Sequence, residues 1–220
     1  MVLIIYFLLY RLNQLRSALI FLEKALAIEQ RHAQTAAKAD THLNMCAVLS
    51  QLGRHDHAML HAHQAIIIVQ STLLMNHLPH RRVGKGSKGH DEDKLTEGME
   101  ATKEFKDRVT VLTIAYHNLA VEQEFMHMVS VYLSILNLNF SFIIIQYDEA
   151  VSSYKMARDF SHNYLGPEDS ISTNMQNILT KAETEIEAKK SRLENHEKKL
   201  NQAREKQRAL SANQKSGASR

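Results

Sequence analysis

Residues 52–69 read LGRHDHAMLHAHQAIIIV, and two other stretches of the chain repeat its pair of alanines seven positions apart. Residues 12–29 read LNQLRSALIFLEKALAIE, and residues 146–160 read QYDEAVSSYKMARDF. Seven residues make two turns of an α-helix, so residues at that spacing face the same side, where small side chains let a neighbouring helix approach closely. The spacing therefore predicts three equivalent helices that pack through alanine faces. The alanine pairs, each seven positions apart, are Ala18 and Ala25, Ala58 and Ala65, and Ala150 and Ala157.

Two of these stretches are each preceded by another segment, and these two segments match each other. They are THLNMCAVLSQLG at 41–53 and AYHNLAVEQEF at 115–125. In these segments Asn44-Met45-Cys46 corresponds to Asn118-Leu119-Ala120. A helix, a turn and a second helix thus recur along the chain, which is typical of stacked helical repeats. The chain has only 7 glycines and 2 prolines in 220 residues, so long stretches lack a helix breaker. The sequence predicts an all-α fold.

The pattern resembles the tetratricopeptide repeat, a helix-turn-helix of about 34 residues. In that family's terms Met45 and Cys46 stand for the Leu-Gly pair, and Gly53 stands for the turn glycine. Ala58 and Ala65 stand for the small residues of the second helix. The third repeat matches the same pattern at Tyr116, Leu119, Ala120, Ala150, Tyr154 and Ala157.

Some positions depart from the family pattern. His42 replaces the usual Trp, Ala62 replaces the usual aromatic residue, and the closing proline is absent from each repeat. The stretch NYLGPED at 163–169 looks like the extended repeats of kinesin light chains. The resemblance implies an antiparallel helix-hairpin solenoid, a tetratricopeptide-like fold, followed by a long charged C-terminal helix.

Residues 128–145 interrupt the third repeat with a run that contains no charge, glycine or proline. Asn44 and Ala58 are 14 positions apart, whereas Asn118 and Ala150 are 32 apart, so the third repeat holds 18 extra residues. Three interpretations stay open: a transmembrane helix, an elongated helix or inserted core element, and an in-frame intron translated by mistake. A membrane span would pull one helix of a hairpin away from its partner. The intron interpretation rests on residue types that have many AT-rich codons.

These features divide the chain into five segments. Residues 1–75 hold repeat one, which lacks its opening residues, and repeat two; residues 76–107, rich in glycine and charge, are predicted to form a flexible loop. Residues 108–167 hold repeat three with its insertion. Residues 168–210 are predicted to form a helix that caps the stack and continues as a charged helix or weak coiled coil. A disordered tail is predicted at 211–220.

The sequence offers no recognisable catalytic or metal-binding pattern. GKGSKG at 84–89 lacks the residue order of a phosphate-binding loop. No serine or cysteine nucleophile has a motif or a base partner, and no paired carboxylates stand at a readable spacing. His57 and His61 are one helical turn apart, but two ligands do not complete a metal site. We therefore expect no enzyme activity, no metal and no cofactor.

Recognition of another protein is the function that remains. Stacked repeat hairpins line a concave surface with their first helices, and an extended peptide is bound along it. The resemblance implies that Asn44 and Asn118 hydrogen-bond the backbone of such a peptide, since a side-chain amide offers both a donor and an acceptor. The alternative is that each asparagine satisfies an adjacent helix end. The other predicted groove residues are Leu43, Ala47, His117 and Val121.

The C-terminal part of the sequence is basic, with 7 Lys or Arg residues against 1 Glu from Lys198 onward. This asymmetry supports an alternative function, a cytoskeleton- or nucleic-acid-associated structural protein that acts through its basic C-terminal helix. Salt dependence of binding would discriminate the two functions. The single cysteine, Cys46, fits a reducing compartment. We expect a cytoplasmic adaptor for a protein or peptide partner, with the cytoskeleton as an alternative location and no membrane contact.

Overall fold

A computed structural model describes residues 10–31, 35–77, 103–134 and 140–217. Within these ranges the chain forms six α-helices and no strand, so the predicted all-α class is confirmed. The predicted loop at 76–107 lies for the most part outside the described residues. The helices are α1 (Leu15–Gln30), α2 (Thr35–Gln51), α3 (His55–His77), α4 (Lys103–Ser134), α5 (Phe140–Tyr164) and α6 (Ser170–Gly217).

The helices pack in chain order. Each helix contacts the next one along the chain, and α2 also contacts α4. The helices α2 and α4 carry the two asparagine segments, so the fold brings together two regions that are far apart in sequence. This contact positions the candidate site.

The six alanines of the repeated pattern lie at the helix contacts. Their side chains are between 0 and 5% exposed. A close approach of two helices requires small side chains at the point of contact. The prediction that these alanine faces are buried is therefore confirmed.

The turn between α2 and α3 is built around Gly53, whose φ of 71° lies in the left-handed region. The N–H of Arg54 donates to the carbonyl of Leu49 at 2.9 Å, and that of Gly53 donates to Ser50 at 2.9 Å. These hydrogen bonds satisfy the last carbonyls of α2, as in common helix C-caps. Asn13, which aligns with Gly53 in the first repeat, has a φ of 57°, so the two turns share a left-handed residue.

The insertion lengthens both helices of the third hairpin. Residues 128–134 continue α4, and residues 140–145 form the start of α5; residues 135–139 lie outside the description. Of the three interpretations, the elongated helix is the one that these elements resemble. In the part of the chain that the structure describes, no helix has the length and apolar character needed to cross a membrane.

Helix α6 begins directly after two acidic residues, Glu168 and Asp169, and acidic side chains favour a helix N-terminus. The N–H of Ile171 donates to Oδ1 of Asp169 at 2.8 Å, an interaction typical of a helix N-cap. The helix packs against α5 and continues past Leu210 to Gly217, beyond the predicted start of a disordered tail. Nζ of Lys189, in the first half of α6, lies 3.7 Å from Oε2 of Glu124 on α4. The first half of α6 is thus held to both helices of the third hairpin.

Candidate functional site

The six predicted groove residues lie on two helices that contact each other. Leu43, Asn44 and Ala47 are on α2, and the equivalent positions on α4 are His117, Asn118 and Val121. All six side chains are half-buried. Each set occupies one side of its helix, because residues three and four positions apart are neighbours on a helical surface. We refer to these six residues as the asparagine surface.

The two asparagines are fixed by the buried residues that follow them. Met45 and Cys46 are 4% and 1% exposed, and the corresponding Leu119 and Ala120 are 4% and 0% exposed. A helix whose next two side chains are anchored in the core presents the preceding residue in a set direction. The repeated sequence therefore gives the two amides the same orientation on their helices.

Neither amide has a hydrogen-bond partner among the described residues. Asn44 lies inside α2 and Asn118 inside α4, away from both ends of their helices. The alternative role, in which each amide satisfies a helix end, is therefore not supported by a hydrogen bond in the described structure. A half-buried amide with open donor and acceptor positions is suited to a ligand that supplies both.

The apolar members of the asparagine surface also touch the core. Leu43 packs against the main cluster, which joins α1, α2, α3 and α4. Val121 packs against a second cluster that contains Ala120 and Tyr154. That cluster includes Leu179 of α6, so α6 borders the α4 side of the asparagine surface. Val121 is consequently shared between this surface and the α6 contact.

His117 is a half-buried residue beside Tyr154 of α5. Its ring lies 5.7 Å from the ring of Tyr154, and its Nδ1 atom is buried without a hydrogen-bond partner in the described structure. Burial lowers the pKa of His117 because the charged imidazolium is desolvated. The asparagine surface therefore carries no ionised side chain near neutral pH.

Asp40 lies one helical turn before Asn44 on α2. Desolvation raises the pKa of Asp40, and the charge of Arg108 on α4 opposes that rise. A carboxylate of α2 and a guanidinium of α4 thus interact across the junction of the two helices. The asparagine surface itself is neutral, which favours ligands recognised by hydrogen bonds and apolar contact.

A third asparagine, Asn177 on α6, has the same sequence context but is not among the predicted groove residues. It precedes Ile178 and the buried Leu179, as Asn44 precedes Met45 and Cys46. Its side chain is exposed. The sequence contains this pattern, an asparagine followed by two apolar residues. It comes after NYLGPED, where the first helix of a further repeat would be expected.

A buried contact between His55 and Glu122 links the second and third hairpins. Nδ1 of His55, the first residue of α3, lies 2.7 Å from Oε2 of Glu122 on α4. Glu122 is only 2% exposed, and the His55 ring stacks on Phe125 with 4.3 Å between centroids. Removing His55 would leave the buried Glu122 side chain without this hydrogen-bond partner, which is costly for a buried polar group. This contact lies near Val121 in sequence and helps to position α4 against α3.

The histidines considered as metal ligands are paired differently. Nδ1 of His61 lies 2.8 Å from Nδ1 of His42, whereas His57 pairs with Asp56 at 2.8 Å. Burial lowers the pKa of His61 and lowers that of His42 to about 4, so one neutral ring donates and the other accepts. In the described residues no group of three or more His, Cys, Asp or Glu side chains could hold a metal ion.

Comparisons of the chain with protein-family models, with curated proteins and with solved structures found no match in any of the three.

Proposed function

We propose that this protein is an adaptor that binds an extended segment of a partner protein along α2 and α4. The observation that carries the proposal is the pair of half-buried amides of Asn44 and Asn118, which lie on two helices in contact and have no hydrogen-bond partner among the residues that the structure describes. An extended peptide presents an N–H and a C=O at every residue other than proline. Each amide matches one such unit, and the two helices together offer two anchor points.

The chemistry of the asparagine surface limits the kind of segment that would bind. Leu43, Ala47 and Val121 offer apolar contact, and none of the six residues carries a charge near neutral pH. Burying a charged side chain against this surface would be unfavourable without an ionic partner. We therefore expect a segment with small or apolar side chains and a free backbone, in keeping with a tetratricopeptide-like groove.

The test begins with the intact chain. Cross-linking and partner recovery identify the bound segment, which is then synthesised and titrated against the wild type, Asn44→Ala and Asn118→Ala. A neutral hydrogen bond contributes roughly 0.5–1.5 kcal/mol, so each substitution should weaken binding by about two- to twelvefold. Asn163→Ala, which changes an exposed asparagine at the end of α5, should leave affinity unchanged.

Circular dichroism separates binding from folding in these variants. Unchanged helicity together with weaker binding would support the groove. Unchanged affinity in both variants would place the binding surface elsewhere, and a loss of helicity would assign the asparagines a structural role.

A second candidate function belongs to the exposed part of α6. This helix has 48 residues and α5 has 25. Four basic residues near its end, Lys198, Lys199, Arg204 and Lys206, are exposed. Such a helix would bind a polyanion through a screened field, so affinity should fall steeply with salt. Truncation at Leu200 removes Arg204 and Lys206, so it should weaken this binding and leave the peptide titration unchanged.

A further inference from the structure

Two histidines face each other across the contact between α2 and α3. Nδ1 of His42 on α2 lies 2.8 Å from Nδ1 of His61 on α3, and the ring centroids are 5.0 Å apart. Both side chains are half-buried. This contact holds one proton, because one nitrogen must donate and the other must accept. We refer to these two residues as the histidine pair.

Other side-chain hydrogen bonds tie each helix of the pair to a different neighbour. Oγ1 of Thr41 donates to Oε1 of Glu29 at 3.0 Å, which ties α2 to α1. Nε2 of Gln70 donates to Oη of Tyr116 at 3.0 Å, which ties α3 to α4. The histidine pair therefore bridges the α1–α2 side of the molecule to the α3–α4 side.

We propose that the histidine pair is a proton-sensitive switch: with one shared proton it holds α2 on α3, and with a second proton it releases α2 together with Asn44. Two imidazolium rings in direct contact repel each other, and their half-buried position deprives both charges of water. Asn44 then leaves its place beside Asn118, which stays on α4. The effect on ligand binding rests on the proposed function, because it concerns the asparagine surface.

Both rings resist protonation in the folded chain. Burial, and then the charge of His61, lowers the pKa of His42 to about 4, and burial, and then the charge of His57, lowers the pKa of His61. The closed arrangement therefore binds fewer protons than an arrangement in which α2 has separated from α3. Acid accordingly favours the separated arrangement, as protonation of histidine clusters does in other pH-sensitive interfaces.

The two helices of the pair carry other titratable groups nearby. On α3, His57 lies one turn before His61 and is paired with Asp56 at 2.8 Å. On α2, the pKa of Asp40 is raised by burial, and the charge of Arg108 on α4 opposes that rise. Each of these two carboxyl groups thus interacts with a group outside the histidine pair.

The helices packed against the pair also carry titratable groups. Glu29 of α1 accepts the hydrogen bond from Thr41, and Oε2 of Glu122 on α4 lies 2.7 Å from Nδ1 of His55. His117 on α4 belongs to the asparagine surface, and burial lowers its pKa. These groups titrate whether or not the pair is present. A comparison with a variant that lacks only the histidine pair therefore isolates its effect.

Cys46 reports the release of α2 without any ligand. It is the single cysteine of the chain, lies one helical turn after His42 and is 1% exposed. Dithiodipyridine modifies thiols in acid as well as at neutral pH, so the labelling rate of Cys46 measures how often α2 opens. The acid response is the labelling rate at about pH 4.5 divided by the rate at about pH 7.5, which spans the titration of the pair.

The acid response of the wild type should exceed that of the double variant His42→Gln, His61→Gln by about tenfold or more, because glutamine keeps a donor and an acceptor but does not titrate. His63→Gln, at an exposed position of α3, should keep the wild-type response. Circular dichroism at neutral pH checks folding. If the double variant does not fold, His61→Gln alone should still show a smaller acid response than the wild type. Equal responses with and without the pair would overturn the proposal.

The synthesised partner segment tests the effect on the asparagine surface, in a His117→Gln background so that this ring does not titrate. At neutral pH Asn44→Ala and Asn118→Ala should each weaken binding. At the acid pH Asn44→Ala should have no further effect, whereas Asn118→Ala should still weaken binding. An undiminished effect of Asn44→Ala in acid would overturn the proposal. A chain that binds no segment at neutral pH would contradict the proposed function, and the acid response of Cys46 would still decide whether the pair is a switch.

Discussion

The second and third hairpins, α2–α3 and α4–α5, place the same alanines in contact although very different segments join their helices. The second hairpin turns at Gly53, and the third contains the 18 additional residues at 128–145. Ala65 and the equivalent Ala157 are nevertheless 0% and 1% exposed. The alanine face, rather than the turn, therefore determines how each pair of helices packs.

The hairpins differ more in their aromatic positions. Where the third repeat has Tyr116, the second has His42, which pairs with His61. Nε2 of Gln70 donates to Oη of Tyr116 at 3.0 Å, and the Tyr116 ring lies 5.6 Å from that of Phe160. The same position therefore carries a contact that titrates in acid in the second hairpin and one that does not in the third, because burial lowers the pKa of His42 to about 4 and raises that of Tyr116.

The largest expected loss of stability comes from Tyr154→Ala, which gives the third hairpin the alanine that the second hairpin has at the equivalent position. Tyr154, which corresponds to Ala62, is 6% exposed and packs against Ala120, Leu179 and Ala182. Replacing a large buried aromatic side chain by alanine typically costs about 3–5 kcal/mol. Urea unfolding of Tyr154→Ala should show a loss of that order. A loss below about 1 kcal/mol would mean that the α5–α6 contact repacks around the cavity.

The alanine faces should respond alike in the two hairpins. Ala65→Leu and Ala157→Leu insert a bulky side chain at a helix contact, and overpacking of this kind costs roughly 1–3 kcal/mol. Ala27→Leu, on the exposed side of α1, should change stability by less than about 0.5 kcal/mol. The free energies of unfolding test this directly. A large loss at only one of the two buried sites would break the equivalence of the hairpins.

Acid should weaken the second hairpin through His42. Its pKa falls from the usual 6.5 to about 4 in the folded chain, so the folded state binds fewer protons than the unfolded state. The contribution of His42 to the free energy of unfolding is fully present above pH 6.5 and is lost as the pH falls toward about 4. His42→Gln should reduce the slope of stability against pH in this range. His63→Gln, at an exposed position of α3, serves as the control and should keep the wild-type slope.

The smallest effect is expected from removing the insertion. Deleting residues 128–145 gives the third hairpin the same spacing as the second, and it removes an uncharged run that favours aggregation. Helical content per residue should stay the same or rise, and aggregation measured by light scattering should fall. If the deleted chain no longer unfolded cooperatively, the insertion would have to be part of the core.

The local architecture follows from the sequence because it depends on short-range periodicity. Alanines seven residues apart predict a buried helix face, and the six alanines of the pattern are buried. Gly53 predicts a turn because glycine adopts a positive φ without strain, and Asp169 predicts a helix start because its carboxylate accepts a backbone N–H. Each of these features involves residues within about two helical turns.

Part of the candidate site also follows from the sequence. The repeated Asn-apolar-small pattern predicts that Asn44 and Asn118 occupy equivalent helical positions, and the same pattern could have identified Asn177. The pattern alone did not predict that the amides of Asn44 and Asn118 lack partners in the described structure. That property depends on what the surrounding helices leave uncovered.

Contacts between segments that are distant in sequence could not be predicted from periodicity, and they are known only from the tertiary structure. His55 and Glu122 are 67 positions apart, and no periodicity connects them, yet they form the buried pair between the hairpins. His61 was considered with His57, its neighbour on the helix, but the fold places it against His42 on another helix. Leu60, Ile67 and Leu74 are visible in the sequence as apolar residues seven positions apart, yet they are exposed in the structure. Whether such residues are covered depends on where neighbouring helices pack, because one helix can bury only the faces that other elements reach.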